Sequence, residues 1–322
     1  MCTHNGAAFV GEQVRSILSQ RPAPRELVVG DDASTDDTVA EVERAVSEAR
    51  AAEPGLQTQL TVLRRSQPLG VTANFDATIA ACTGELVALS DQDDVWPAGR
   101  LSRLITVFDD PAVLLAHSDA RLVDAHGEAL GATLLQVLEV SAVERAGLRA
   151  GDAWPILLRR NTVTGATVVI RRSLAERAHP FPAAWVHDEW LAIVAAAYSG
   201  VRLIDEPLVD YRQHGGNVIG ATRVTWARRW ERLREPRDAR AARLVARAAA
   251  LVERLPEWGA PDDMMTDAQL KLAFERSRAA APGWQPARVP GIVARLLRGE
   301  YQRFARGTID VLRDLVQPPR ER

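Results

Sequence analysis

Glu85-Leu86-Val87-Ala88-Leu89-Ser90-Asp91-Gln92-Asp93-Asp94-Val95-Trp96 is an apolar run that ends in three carboxylates. Glu85 to Leu89 reads as a short buried strand, so the acids fall on the loop at its carboxyl end. Ligands of open α/β sheets bind there. Three acids within four residues repel one another, and a hard divalent cation is the usual relief. Mg²⁺ and Mn²⁺ take oxygen ligands, commonly one or two carboxylates with water and substrate phosphates completing the shell. The alternative is a solvated acidic turn capping the next helix.

A second carboxylate pair lies upstream. Glu26-Leu27-Val28-Val29-Gly30 is another buried-strand pattern and runs into Asp31-Asp32-Ala33-Ser34-Thr35-Asp36. Ser34 or Thr35 is placed to N-cap a helix carrying Val39, Val42 and Val46 at helical spacing. Capping leaves the adjacent Asp31 and Asp32 unexplained. Further upstream, Thr3-His4-Asn5-Gly6 precedes a helix with Val10, Val14, Ile17 and Leu18 on one face. The order is loop, helix, strand, acidic loop, helix, strand and second acidic loop.

These motifs, with Ser16-Ile17-Leu18-Ser19-Gln20, His187-Asp188-Glu189-Trp190 and Tyr211-Arg212-Gln213-His214-Gly215-Gly216-Asn217-Val218, resemble the family 2 nucleotide-sugar glycosyltransferases, in particular bacterial rhamnosyltransferase-like members. The resemblance covers about residues 1 to 220. It implies a GT-A fold, an α/β/α domain with a mostly parallel sheet. It also implies that Asp32 accepts from the N3–H of a uracil or thymine ring, and that Asp31, Thr3, His4 and Asn5 line the same pocket. By the same resemblance Asp91 lies near the ribose and diphosphate, and Asp93 ligates Mg²⁺ or Mn²⁺. Asp188 becomes the general base. Arg212 and His214 contact the diphosphate, with His214 a candidate to complete the metal shell.

The chemistry asks for such residue types independently. Glycosyl transfer needs the charge on a leaving diphosphate neutralised, which a cation and Arg212 supply. It needs a base for the acceptor hydroxyl proton. One base opposite the leaving group gives direct displacement with inversion. Alternatives stand beside these roles. Asp188 opens a helix with Leu191, Val194 and Ala195, where a first-turn carboxylate is favoured by the helix dipole, and Glu189 is a second candidate base. His214 is either a satisfied structural imidazole or, beside Gly215-Gly216, part of a backbone wrapped on phosphate.

Fainter signals surround the cleft. Leu114-Leu115-Ala116-His117-Ser118-Asp119 reads as a strand ending in a polar cluster, a turn or an acceptor contact. Asn161 to Ile170 reads as a loop feeding a buried strand, and the resemblance puts Thr164 and Gly165 at the acceptor floor. Residues 131–160 are the candidate region for acceptor choice. Trp154 and Trp185 are either sugar-stacking platforms or core aromatics.

The chain of 322 residues, 47% hydrophobic, suffices for one large domain plus an extension. Cys2 and Cys82 form no disulfide or thiolate-metal pattern, which fits a reducing cytosol. Lys271 is the single lysine, a bias that reads as compositional rather than as arginine chemistry. Charge divides unevenly: net −10 over residues 1–220 and net +8 over residues 221–322. The reading is a catalytic domain over 1–220 and a basic, all-helical C-terminal extension over 221–322. Its last helix, from about Gly291 to Val316, puts Ile292, Leu296, Phe304, Leu312 and Leu315 on one side and Arg295, Arg298, Arg303, Arg306 and Arg313 on much of the rest. The extension either packs its apolar stripe on the catalytic domain or lies on an anionic membrane face, near a lipid-linked acceptor. No recognition motif accompanies the arginines, which argues against nucleic acid. No apolar run reaches membrane-span length and no secretory signal is visible, so the expected location is cytoplasmic, with peripheral contact at the inner membrane face as one role of the extension.

Two departures from the family pattern stand out. The first strand should precede Thr3-His4-Asn5 by several residues, so either the start lies upstream of Met1 or the sheet lacks most of that strand. His4 stands where the family usually has tyrosine. The expectation is an inverting, metal-dependent transferase moving a sugar, rhamnose being the best single guess, from a nucleotide donor to a saccharide or lipid-linked acceptor in bacterial surface polysaccharide synthesis. The alternatives are a catalytically silent saccharide-binding or scaffold protein, and a sugar nucleotidyltransferase. Against the last, Asn5-Gly6-Ala7-Ala8 is no glycine-rich loop.

Overall fold

In the computed structural model, which describes residues 1–214 and 237–317, helix and strand alternate from the start. β1 (Cys2–Thr3), α1 (Val10–Leu18), β2 (Glu26–Asp31), α2 (Thr38–Ala52), β3 (Gln59–Arg64), α3 (Val71–Ala80) and β4 (Leu86–Ala88) follow in order. β1, β2 and β3 form a parallel sheet, with Cys2 opposite Gly30 and Val28 opposite Thr61. Parallel neighbours need crossovers, and α1 and α2 supply them. Val10, Val14, Ile17 and Leu18 are all buried, packed with Leu27, Val29, Val42 and Val46. Each such side chain contributes about 1.5–3 kcal/mol on burial.

Helix α2 starts later than the sequence suggests. Ser34 donates to Asp31 and Thr35 to Asn5, so neither caps the helix, and Asp36 instead accepts from the Thr38 N–H at 3.1 Å. The hydroxyls expected at the cap are held by the loop that shapes the Asp31–Asp32 turn.

After β4 come α4 (Arg100–Ile105), β5 (Leu115–Val123), β6 (Ala129–Thr133), α5 (Leu134–Val137), α6 (Ala142–Ala150), α7 (Trp154–Arg159), β7 (Val168–Arg171), α8 (Arg172–Ala178), α9 (His187–Ala197) and β8 (Val201–Arg212). The second sheet runs β4-β7-β5-β6 with β8 on β5. β8 is parallel to β5, and the other pairings are antiparallel. The Cys2 N–H donates to Ser90 O at 3.3 Å, joining the two sheets. The loops after β2, β4 and β8 therefore converge. β5 continues to Val123, so His117, Ser118 and Asp119 are buried inside a strand and do not form a strand-end turn. Asp119 is spent on the Ala120 and Leu135 N–H groups.

The described residues fall into two compact units, Met1–Ala153 with residues 162–214, and Trp154–Asn161 with residues 237–317. The second unit is helical: Arg237–Arg254, Asp262–Ala279, Val289–Leu297, Glu300–Phe304 and Thr308–Val316. The single last helix read from the sequence is three, interrupted at Gly299 (φ +70°) and Gly307 (φ +60°), where left-handed backbone favours glycine. The stripe changes accordingly. Ile292 and Phe304 are buried, but Leu296 and Leu312 are exposed and Arg295 turns inward to Ser277. Arg278 sits inside this unit, donating to Glu275 and, through two nitrogens, to Asp314. Trp154 belongs to this core and donates to Asp267 at 3.1 Å.

Candidate active site

The site is assembled from loop ends. The loops after β1 and β4 clasp each other through Gln92, whose side-chain carbonyl accepts from the His4 N–H (2.9 Å) while its amide donates to His4 O (3.1 Å). A Cβ on Gly6 would stand 2.2 Å from Gln92 Oε1, so the clasp requires glycine at 6. Asn5, at φ +48°, accepts from the Thr35 N–H. Thr3 donates to Asp31, which also accepts from the Ser34 N–H and hydroxyl. Asp31, Thr3 and Asn5 thus bind the loops after β1 and β2 to each other, and the His4 ring donates through Nδ1 to Asp32 O at 2.7 Å.

Asp32 itself accepts from the Leu69 and Gly70 N–H groups, 2.6 and 2.9 Å away, ahead of α3. Its carboxylate is occupied by the protein in this structure, where the sequence reading gave it to a base N3–H.

Asp93 and His214 come together across 121 positions of chain. His214 Nε2 lies 2.8 Å from Asp93 Oδ2, and its ring stacks on Phe9 with centroids 4.6 Å apart. Among the described residues no group of three or more His, Cys, Asp or Glu converges as a complete cage. One carboxylate oxygen and one imidazole nitrogen are what a Mg²⁺- or Mn²⁺-type ion needs from protein when diphosphate oxygens and water fill the remaining positions. The donor set fits such an ion.

Arg212, expected at a diphosphate, has a buried guanidinium that donates to Asp93 O (2.8 Å), Ala125 O (2.8 Å) and Glu12 (2.7 Å). It ties the Asp91–Asp94 loop to α1. A planar five-donor group suits this bridging of three acceptors. The Arg212 N–H donates to Asp94, the third acid of the loop. Gly215, Gly216, Asn217 and Val218 lie outside the described residues.

Electrostatics link α9, which carries Asp188, to this loop. Burial, with Asp93 and Asp188 nearby, pushes the Asp91 carboxyl up to about 7. Burial and the flanking Asp91 and Asp93 raise Asp94 as well. Tyr211 is raised by burial and by Asp91, Asp94, Asp93 and Asp188 around it. Four carboxylates from two separate stretches therefore act on Tyr211, negative charge that a divalent cation would offset.

Asp188 lies in the first turn of α9, and its Oδ2 accepts from the Gly165 N–H at 2.8 Å. His187 beside it is buried, stacked on Phe75 at 3.6 Å, with both ring nitrogens lacking a hydrogen-bond partner among the described residues. Burial pulls that imidazole down to about 3, so it is neutral. Gly165 is thus a brace for Asp188 more than the sugar contact expected of it. Trp185 is buried against Trp190, a core aromatic. Phe9, Glu12 and the clasping role of Gln92 escaped the sequence reading because each acts through a long-range contact with no local pattern.

An α/β/α domain whose strand-end loops gather an Asp-x-Asp, an acid pair and a helix-borne carboxylate is a GT-A fold. The fold is shared with the mannosyltransferase of Pyrobaculum calidifontis determined in complex with GDP-Man and Mn²⁺, at 23% identity and TM-score 0.51, covering 98% of this chain and 83% of that one. Residues 1–130 match the Glycosyl transferase family 2 model. Similar proteins include an uncharacterized glycosyltransferase of a Nostoc species (26% identity over 218 residues, 66% of this chain and 63% of the relative). A dTDP-rhamnosyl transferase of Shigella flexneri is 23% identical over 239 residues, 72% of this chain and 78% of the relative. The chain spans less than two thirds of the length of the Nostoc protein and of several other relatives.

Proposed function

We propose that this protein transfers a glycosyl unit from a nucleoside-diphosphate sugar to a hydroxyl acceptor, with inversion at the anomeric carbon. The observation that supports it best is the approach of His214 Nε2 to Asp93 Oδ2, 2.8 Å, in the loop whose Asp91 carboxyl is raised by burial and by Asp93 and Asp188. Asp93 and His214 would hold Mg²⁺ or Mn²⁺. The ion, when bound, supplies positive charge to the leaving diphosphate. Arg212 keeps Asp93 in register from behind, and Thr3, His4, Asn5, Asp31, Asp32 and Asp91 border the nucleotide. Asp188, oriented by the Gly165 N–H, takes the proton of the acceptor hydroxyl as its oxygen bonds to the anomeric carbon. The bond from that carbon to the diphosphate oxygen breaks, its electron pair leaving with the nucleoside diphosphate. No covalent enzyme intermediate is needed.

The finer reading is a deoxysugar donor such as dTDP-rhamnose and a saccharide or lipid-linked acceptor of a bacterial surface polysaccharide. It rests on the motif variants and on the similarity to the Shigella protein. No helix among the described residues is long and apolar enough to cross a membrane. If a lipid-linked acceptor is used, peripheral contact through the basic helical unit is the proposed route. Asp93→Ala should abolish metal-dependent donor binding, while Asp188→Asn should spare binding and remove transfer. Transfer at the unaltered rate by Asp188→Asn would overturn the base assignment.

A further inference from the structure

Arg100 opens α4 directly after Gly99, whose φ of +82° turns the chain into the helix. Arginine is ordinarily a surface residue, yet here the side chain is fully buried, inward with Leu101 and Leu104. Its guanidinium carbon lies 3.8 Å from the centre of the Trp96 ring, and its Nη2 donates to Ala166 O at 2.8 Å. Nε and Nη1 have no hydrogen-bond partner among the described residues. Burial pulls the group down to about 9, with Asp94 acting the other way, so it keeps its charge at neutral pH.

Stability does not account for an arginine at this place. A charge taken out of water costs free energy unless it is paired and its donors are satisfied, and one carbonyl with one ring face leaves two donors unmade. A methionine would cover Trp96 without that cost. What arginine adds is an N–H held in the plane of a stacked guanidinium, and so aimed in a fixed direction.

The two ends of this contact are anchored unequally. On the Trp96 side the acidic loop has other ties. Arg212 bonds to Asp93 O and Asp94, Val95 exchanges backbone hydrogen bonds with Asp210, and the Trp96 N–H donates to Ser16 at 3.0 Å. On the other side the Gly165–Thr167 turn is closed locally, by the Thr167 N–H and hydroxyl on Thr164 O. Its bonds outward are the Gly165 N–H on Asp188 and Ala166 O on Arg100.

We propose that Arg100 is a positioning residue for Asp188: lying on Trp96 at the end of the acidic loop, it fixes Ala166, and through the neighbouring Gly165 N–H it sets where the Asp188 carboxylate stands relative to that loop. The inference rests on Asp188 as the base. Because the acidic loop is held without Arg100, losing the guanidinium loosens the turn and the base and spares the nucleotide side.

Amide exchange and transfer kinetics on the full chain test this together. In Arg100→Met the Gly165 amide should exchange about tenfold faster or more, while that of Arg171, bonded to Leu114 O in the following strand, should change little. Transfer should lose kcat on the order of 10²-fold, the cost of misplacing a reacting group by about 1 Å, with the dissociation constant for nucleoside diphosphate and Mn²⁺ within a few-fold. Arg100→Lys keeps the charge and a donor without the planar stack and should recover about tenfold of that loss; it carries the same readouts if the methionine variant does not fold. Combined with Gly165→Ala, Arg100→Met should cost little more kcat than either change alone, since both act through one turn. A merely structural role would quicken Gly165 and Arg171 alike, or lower kcat and donor affinity together, and either result would overturn the proposal. So would losses that multiply in the double variant, or a folded Arg100→Met with unaltered kcat or unaltered Gly165 exchange. Asp188→Asn separates the two claims: transfer at the unaltered rate removes the base assignment, whereas Gly165 exchange in Arg100→Met reports on the brace with no turnover involved.

Discussion

Gly165→Ala tests the link between fold and chemistry at one methyl group. A Cβ at 165 would stand 2.7 Å from His187 Nε2 and 3.5 Å from Asp188 Cβ. His187 cannot swing aside, since its ring is buried and lies nearly parallel to Phe75, 9° between planes. The clash must therefore move the 165 backbone or the start of α9, and either shift lengthens the 2.8 Å bond that orients Asp188. Overpacking of this kind costs about 1–3 kcal/mol of stability. Displacing a reacting group by about 1 Å costs on the order of 10²-fold in rate. Thermal unfolding should show a lowered midpoint with a single transition. Steady-state transfer should show kcat reduced roughly 100-fold, with donor KM within a few-fold, because the donor loops are untouched. Wild-type kcat in Gly165→Ala would refute the brace.

Further expectations follow from the same geometry. Arg212→Met should destabilise the protein by about 3 kcal/mol, as removal of one partner from a buried ionic network does; a variant of unchanged stability that loses donor affinity would restore Arg212 to the diphosphate. His117 and His187 are buried with no hydrogen-bond partner among the described residues, their imidazoles pulled down by burial to about 4 and about 3. A depressed histidine contributes stability that is full above its unfolded value near 6.5 and is lost as pH falls toward the folded value. Urea midpoints should therefore drop between about pH 6.5 and 4, and His117→Leu should flatten that limb; an unaltered limb would contradict the assignment. His214→Ala should raise the Mn²⁺ concentration needed for nucleoside-diphosphate binding at least about tenfold, read by titration calorimetry, and equal requirements would remove His214 from the shell.

Much of the catalytic unit was legible because it is written locally. Apolar runs placed β2 and β4, helical spacing placed α1 and α2, and acids directly after the strands marked where the loops converge. What escaped depends on contacts between distant segments. Arg212 looks like a phosphate ligand from Tyr211-Arg212-Gln213-His214, yet three carbonyl and carboxylate acceptors bind its guanidinium once β8 lies beside the Asp91–Asp94 loop. Asp32 looks free in the sequence until the chain before α3 folds back to offer two N–H groups. His117-Ser118-Asp119 reads as a polar turn because polarity ordinarily marks a turn, and β5 overrides this by pairing on both sides. The last helices were misread where Gly299 and Gly307 take left-handed conformations, a backbone event that an amphipathic count across 291–316 does not register.

The measurement closest to the central claim is calorimetric titration of the full chain with the diphosphates of uridine, thymidine and guanosine, with Mn²⁺ and again with chelator. The structure predicts that at least one nucleotide binds, that chelator abolishes the binding, and that Asp93→Ala does the same while Asp188→Asn leaves it intact. A folded protein that binds none of the three, or binds one equally well with chelator, would contradict the assignment of Asp93 and His214 as a metal–diphosphate site.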